Sequence, residues 1–183
     1  MSKQEQRKQA IAARRALSEN RRKRNSEYIC RRLRSLPQVQ EARCILSYAA
    51  LWDEADLSWL HERLGSEVSL CFPVSLPGGI MEAWKPGNWK RGPYGIWEPD
   101  RACSCKVEPE ELDLVLAPCV GFDEGCNRLG HGAGYYDRYL ENSPAAVIAV
   151  AFEAQKLDHI TTEPHDRPMD AVVTEKTVYY KRS

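Results

Sequence analysis

Between Gly121 and Leu140 the chain carries three alternating glycines, Gly130, Gly132 and Gly134, followed directly by Tyr135-Tyr136-Asp137-Arg138. Alternating glycines let backbone N–H groups converge on an anion, and a helix starting just beyond adds positive potential there. Arg128, just ahead of the turn, can add a two-pronged phosphate contact. Asp137 falls on the first turn of the expected helix, where a carboxylate can hold a Mg²⁺ that bridges phosphate oxygens. Each feature has a plainer reading: a tight structural turn for the glycines, and a helix N-terminal charge for Asp137. The spacing G-x-G-x-G, with no Gly-Lys-Ser/Thr behind it, is neither a P-loop nor the dinucleotide fingerprint.

A second charged feature opens the chain. Residues 1–34 hold 12 Lys and Arg against 3 Asp and Glu, a local net of +9 that the remaining residues offset to zero. Such a segment either faces something anionic or forms a solvated basic helical hairpin on an acidic body. The overall balance, 26 basic and 26 acidic side chains, argues against a dedicated nucleic-acid binder. No apolar run approaches the roughly 20 residues that span a bilayer, and no apolar h-region follows the basic N-terminus. The 7 cysteines have no framework spacing. Cys30, Cys44, Cys71 and Cys119 read as reduced core thiols, and Cys103-Ser104-Cys105 as a loop, which together point to the cytosol.

The elements that must position these residues follow from pattern. Residues 3–16 are rich in helix formers, and Ser18 reads as the N-cap of a second helix that ends at Leu36-Pro37. Cys44–Ala50 and Val68–Pro73 read as buried strands flanking a helix with Leu57, Leu60 and Leu64 on one side and Gly65 as its C-cap. Residues 75–108, dense in Pro, Gly, Trp and Cys, read as long loops with a short strand near Met81–Trp84. Further strands are expected at Asp113–Ala117, Ala145–Phe152 and Ala171–Thr174, with a helix at about 134–142. The predicted fold is a single α/β domain over residues 1–183: three layers, a mostly parallel sheet and helices on both faces. Functional loops of such sheets lie past the C-terminal ends of strands, and the glycine turn occupies that kind of position.

The run Phe122-Asp123, Arg128-Leu129-Gly130, Gly132, Gly134-Tyr135-Tyr136-Asp137-Arg138 closely resembles the signature of the 5-formyltetrahydrofolate cyclo-ligase family. The resemblance extends across nearly the whole chain. It takes in Lys3 with Arg7, Tyr48 with Glu54, Phe72-Pro73, Gly95-Ile96-Trp97-Glu98-Pro99, Phe152-Glu153 with Gln155, and His165-Asp166 with Asp170.

That resemblance implies an ATP- and Mg²⁺-dependent ligase of one-carbon metabolism, cytoplasmic and monomeric, acting on small molecules. The N5-formyl oxygen would take the γ-phosphoryl group, and N10 would then attack the activated carbon to give 5,10-methenyltetrahydrofolate. Carried over, ATP would be held by Lys3 and Arg7 and by Arg128, Leu129, Gly130, His131, Gly132, Ala133, Gly134, Tyr135 and Tyr136. Folate would meet Ala49, Glu54, His131, Gly132, Ala133, Gly134 and Tyr135; Asp137 and Asp166 would be the metal ligands, and Arg128 and Tyr136 the catalytic residues. The other N-terminal arginines read as solvated surface. Lys3 and Arg7, four apart on a helix, share one face as a phosphate clamp requires. A carboxylate at Glu54 suits the donor edge of a pterin, and Tyr94 and Tyr135 can stack on a flat ring.

Three positions depart from the family pattern. Cys126 stands where many relatives have Gly, Ala133 where Gly or Lys is common, and His131 where an aromatic residue or Arg is common. A reshaped but intact loop is expected. Two other readings stay open on the residues: an ATP-using relative with a different small substrate, and a non-catalytic binder of nucleotides or sugar phosphates.

Overall fold

A computed structural model of the protein describes residues 1–141, 143–163 and 166–181. Helix α1 (Lys3–Arg15) opens with a capping box, in which the Ser2 hydroxyl accepts from Glu5 N–H and the Glu5 carboxylate accepts from Ser2 N–H. Ser18 caps α2 (Glu19–Ser35) as its type predicts, and Ile29, Cys30 and Leu33 form the buried stripe of that helix. The α2 helix stops before Pro37, which opens the short α3 (Pro37–Glu41) at a position that needs no N–H donor.

Next come β1 (Cys44–Leu46), α4 (Ser58–His61) and β2 (Ser69–Leu76), the strand–helix–strand unit expected from the sequence. Helix α4 is shorter than its leucine spacing suggests. Its hydrogen bonding runs on in turns to Leu64, so Gly65 does not serve as the C-cap. The stretch read as loop holds more strand than expected. Strand β3 (Ile80–Lys85) returns beside β2, β4 (Trp89–Arg91) and β5 (Trp97–Pro99) form a separate hairpin, and β6 (Cys105–Val107) pairs with β3. Cys105 therefore opens a strand rather than lying in a loop. These strands are short and half exposed, so they lack the apolar run that marked the others.

Strand β7 (Leu114–Pro118) is followed by a small ribbon, β8 (Gly121–Phe122) and β9 (Arg128–Leu129). Helix α5 (Tyr135–Leu140) and strands β10 (Ala146–Val150), β11 (Ala171–Val173) and β12 (Val178–Tyr180) complete the order. The main sheet has 8 strands in the order β12-β11-β10-β7-β1-β2-β3-β6. Its middle, from β11 to β2, is parallel, and the strands added at both ends are antiparallel. Leu114, Leu116, Ile148 and Val150 face α2 to α4, whereas Val115, Ala117, Val147 and Ala149 face the α5 side. Both faces are buried, which is why these strands read as continuous apolar runs.

Helix α1 packs across the β8–β9 ribbon, with Ala10 against Val120, Leu129, Leu157 and Ile160. Its inward face is Gln6, Ala10 and Arg14, at four-residue spacing. Arg14 is thus buried at 2% exposure, a correction to its reading as solvated surface. Cys126 takes φ 61°, the left-handed value that glycine accommodates freely, and Gly125 does not relieve it. That conformation costs an L-residue about 1–2 kcal/mol, offset here by complete burial of the thiol against the α5 side of the sheet. All 7 cysteines are free thiols.

Candidate active site

The parallel strands run outward in two directions from the centre: β1 leads to β2 on one side, and β7 leads to β10 on the other. Between β1 and β7 the order therefore reverses, and the crevice beyond their C-terminal ends is where α/β sheets bind ligands. A cavity of about 440 Å³ lies there. Its walls come from the loop after β1, the end of β7, the glycine loop with α5, and the β4–β5 hairpin.

The loop after β1 presents Ala49 and Glu54. Tyr48 O–H donates to the Ala55 carbonyl at 2.7 Å and Leu51 N–H donates to Glu54 Oε2 at 2.9 Å, which fixes the carboxylate. Glu54 Oε1 lies 3.0 Å from His131 Nε2 and 3.8 Å from Arg14 Nη1. Within the acidic run at positions 53–56, Asp53 is 1% and Glu54 8% exposed, whereas Asp56 faces solvent. Asp53 Oδ2 accepts from Arg14 Nη2 and from Arg15 Nε, each at 3.0 Å. Burial works to raise the Asp53 pKa, but Arg15 and Arg14 outweigh it and hold the group below the usual carboxylate range.

On the opposite wall Arg128 donates to the Pro118 carbonyl at 3.2 Å and to Asp137 Oδ1 at 2.9 Å. Its guanidinium stands 5.4 Å from the centre of the Tyr136 ring. Arg128 Nε and the Tyr136 hydroxyl are both enclosed without a partner among the described residues. Burial pushes the Tyr136 pKa well up, so the phenol stays a neutral donor. Two enclosed donors at one wall suit an anionic ligand.

The glycine loop itself lies at the surface, with His131, Gly132 and Ala133 exposed. Gly132 and Gly134 have φ 103° and 69°, so the spacing does serve a backbone that side chains would disfavour. Arg7 reaches from α1 to donate to the Gly130 carbonyl at 2.8 Å. From the other side Arg138 donates to the Ala133 carbonyl at 2.6 Å and twice to the Gly79 carbonyl, at 2.9 and 3.1 Å. A Cβ on Gly132 would meet the Arg7 guanidinium at 3.4 Å. Gly132→Ala is therefore expected to cost about 1–2 kcal/mol in thermal or urea unfolding.

Of the residues singled out, Ala49, Glu54, Arg128, Gly130, His131, Ala133, Gly134, Tyr135, Tyr136 and Asp137 line the cavity. Lys3, Arg7, Gly132, Leu129 and Asp166 do not. Leu129 is 2% exposed and packs under α1, so its side chain is core. Lys3 Nζ is held by Glu163 and Asp166, each at 2.6 Å. Slight burial works to lower the Lys3 pKa, and the two carboxylates outweigh it and raise it. His165 of the neighbouring motif lies outside the described residues. The hairpin residues Pro93, Ile96, Trp97 and Glu98 also face the cavity, and pattern reading gave them no role. Their signal was present in the Gly95–Pro99 motif, but without a partner element to place it.

No group of three His, Cys, Asp or Glu converges on a metal position among the described residues. Asp137 and Asp166 instead each hold a basic side chain, Arg128 and Lys3. Carboxylate oxygens are the donor type that Mg²⁺ takes, one or two at a time with phosphate and water as its other ligands, but each of these acids would first have to release its base.

A doubly wound α/β protein with a ligand crevice at its switch point is the class that this geometry defines. The family model described as "5-formyltetrahydrofolate cyclo-ligase family" matches residues 1–175, and the chain belongs to that family. It is 36% identical over 83 residues to the Haemophilus influenzae 5-formyltetrahydrofolate cyclo-ligase, covering 44% of each chain. It thus spans less than half the length of that relative. The Escherichia coli enzyme of the same name is 28% identical over 175 residues, 91% of this chain and 96% of that one. The NMR structure of Aquifex aeolicus 5,10-methenyltetrahydrofolate synthetase superimposes with a TM-score of 0.87 at 33% identity, covering 100% of this chain and 94% of that one.

Proposed function

We propose that this protein closes 5-formyltetrahydrofolate to 5,10-methenyltetrahydrofolate, with ATP converted to ADP and phosphate. The observation that carries the proposal is one cavity with an anchored acid on one wall, Glu54, and partnerless donors from Arg128 and Tyr136 on another. Glu54 accepts hydrogen bonds from the amino-pyrimidine edge of the pterin, with Ala49, His131 and Tyr135 around it. Arg128 and Tyr136 face the phosphoryl group in transfer, and the loop from Leu129 to Gly134 follows the phosphates through its backbone.

Lys3 and Arg7 complete the phosphate contacts from α1, and Asp137 and Asp166 would hold Mg²⁺. A bound Mg²⁺ would neutralise phosphate charge and so favour transfer. Lys3 and Arg128, now paired with Asp166 and Asp137, would be freed toward phosphate if those acids held the cation. The formyl oxygen is a poor leaving group until phosphorylated, so positioning and charge neutralisation suffice and no nucleophilic side chain is required. The same reading takes residues 1–183 as one cyclo-ligase-like domain, working as a monomer in the cytoplasm. No helix among the described residues is long and apolar enough to cross a membrane.

Mixing the purified protein with 5-formyltetrahydrofolate, ATP and Mg²⁺ should raise the near-ultraviolet absorbance of the methenyl product only when all three are present. Nucleotide binding without any such rise would leave a non-catalytic binder.

A further inference from the structure

Four acidic side chains are buried: Asp53, Glu54, Glu98 and Asp123. Three of them are well satisfied. Asp53 holds two arginines, Glu54 is anchored by Leu51 N–H, and Asp123 accepts from the backbone of Gly125, Asn127 and Ile160. Glu98, 7% exposed on β5, receives only Ser75 N–H at a long 3.4 Å, on Oε2, and has no cationic side chain in ion-pair contact among the described residues. Gly92 leaves the space that the carboxylate fills, since a Cβ there would sit 2.3 Å from Glu98 Oε2. Burying a carboxylate with so little support is costly, and such a group calls for a ligand. Glu98 lines the switch-point cavity, on a different wall from Glu54.

We infer that Glu98 accepts a hydrogen bond from the substrate N10–H and takes its proton as the ring closes, an assignment that rests on the proposed reaction. Glu54 already accounts for the amino-pyrimidine edge, which leaves the anilino nitrogen as the N–H that must be lost in the reaction. The N10 lone pair forms the new bond to the activated carbon, and the N10–H bonding pair stays on nitrogen as the proton passes to Glu98. The carbon–oxygen bond breaks with its electron pair on the departing phosphate. The product then carries a delocalised cation, and the cavity wall has gained one proton.

Glu98→Gln keeps the shape and an acceptor for Ser75 N–H. It should lower kcat about 100-fold, the scale of general-base catalysis, with the KM for 5-formyltetrahydrofolate within about threefold of the wild type. Rapid quench should still show a burst of one ADP per site, because phosphorylation precedes the impaired step, and Glu98→Asp should recover part of the rate. Wild-type kcat in Glu98→Gln would overturn the assignment, as would a rise in KM with kcat retained or loss of the ADP burst. Failure of the wild type itself to form methenyl product would instead sink the proposed reaction, and this role with it.

Discussion

Asp137→Asn is expected to lower kcat by about 1,000-fold, the scale seen when one preorganised electrostatic contact is removed from a charge-building step. The substitution preserves shape, but Arg128 is 4% exposed and loses its 2.9 Å carboxylate partner, so the free energy of unfolding should also fall by about 1–3 kcal/mol while the fold persists. The loss should therefore appear in turnover and in the Mg²⁺ concentration required, both measured by the absorbance of the product. Near-normal kcat with unaltered Mg²⁺ dependence would remove Asp137 from the metal assignment. That result would leave the pair with Arg128 as a purely structural contact.

The second large effect is on stability. Asp53→Asn removes the carboxylate that compensates Arg14, whose side chain is 2% exposed. Breaking a buried pair in this way costs about 3–5 kcal/mol, and two nitrogens of Arg14 already lack hydrogen-bond partners. For a chain of this size Tm should fall by roughly 10 °C. The sign of the pH dependence follows from the lowered pKa of Asp53. A depressed folded pKa contributes stability that is complete above the ordinary carboxylate range and is lost as pH falls through the folded value. Wild-type stability should thus drop on acidification below about pH 4, and Asp53→Asn should lack that part of the drop. Urea unfolding at several pH values checks both statements, and parallel pH curves for the two proteins would refute the second.

Much of this arrangement was legible from residue order because its causes are local. Apolar runs flanked by turn residues located the central strands, and Ser18 and Pro37 marked helix ends by their own chemistry. Alternating glycines announced a tight turn, and Gly132 and Gly134 do take the positive φ that such a turn needs. What pattern could not supply depends on partners distant in sequence. The burial of Arg14 is set by Asp53 and Glu54, 39 and 40 residues away, and by an α1 face whose apolar members are few. The β4–β5 hairpin is built of an exposed β4 and a three-residue β5 that pair with each other, so no periodicity pointed to it. Glu98 was visible only as one letter of a motif until the cavity gave it a wall.

Arg138 joins the turn after β2 to the last glycines of the loop, linking residues 59 positions apart. The two segments are thereby tied together: a shift of the Gly78-Gly79 bend would be passed to the Ala133 carbonyl through one planar guanidinium. Variation in the turn between β2 and β3 thus has a mechanical route to the shape of the glycine loop.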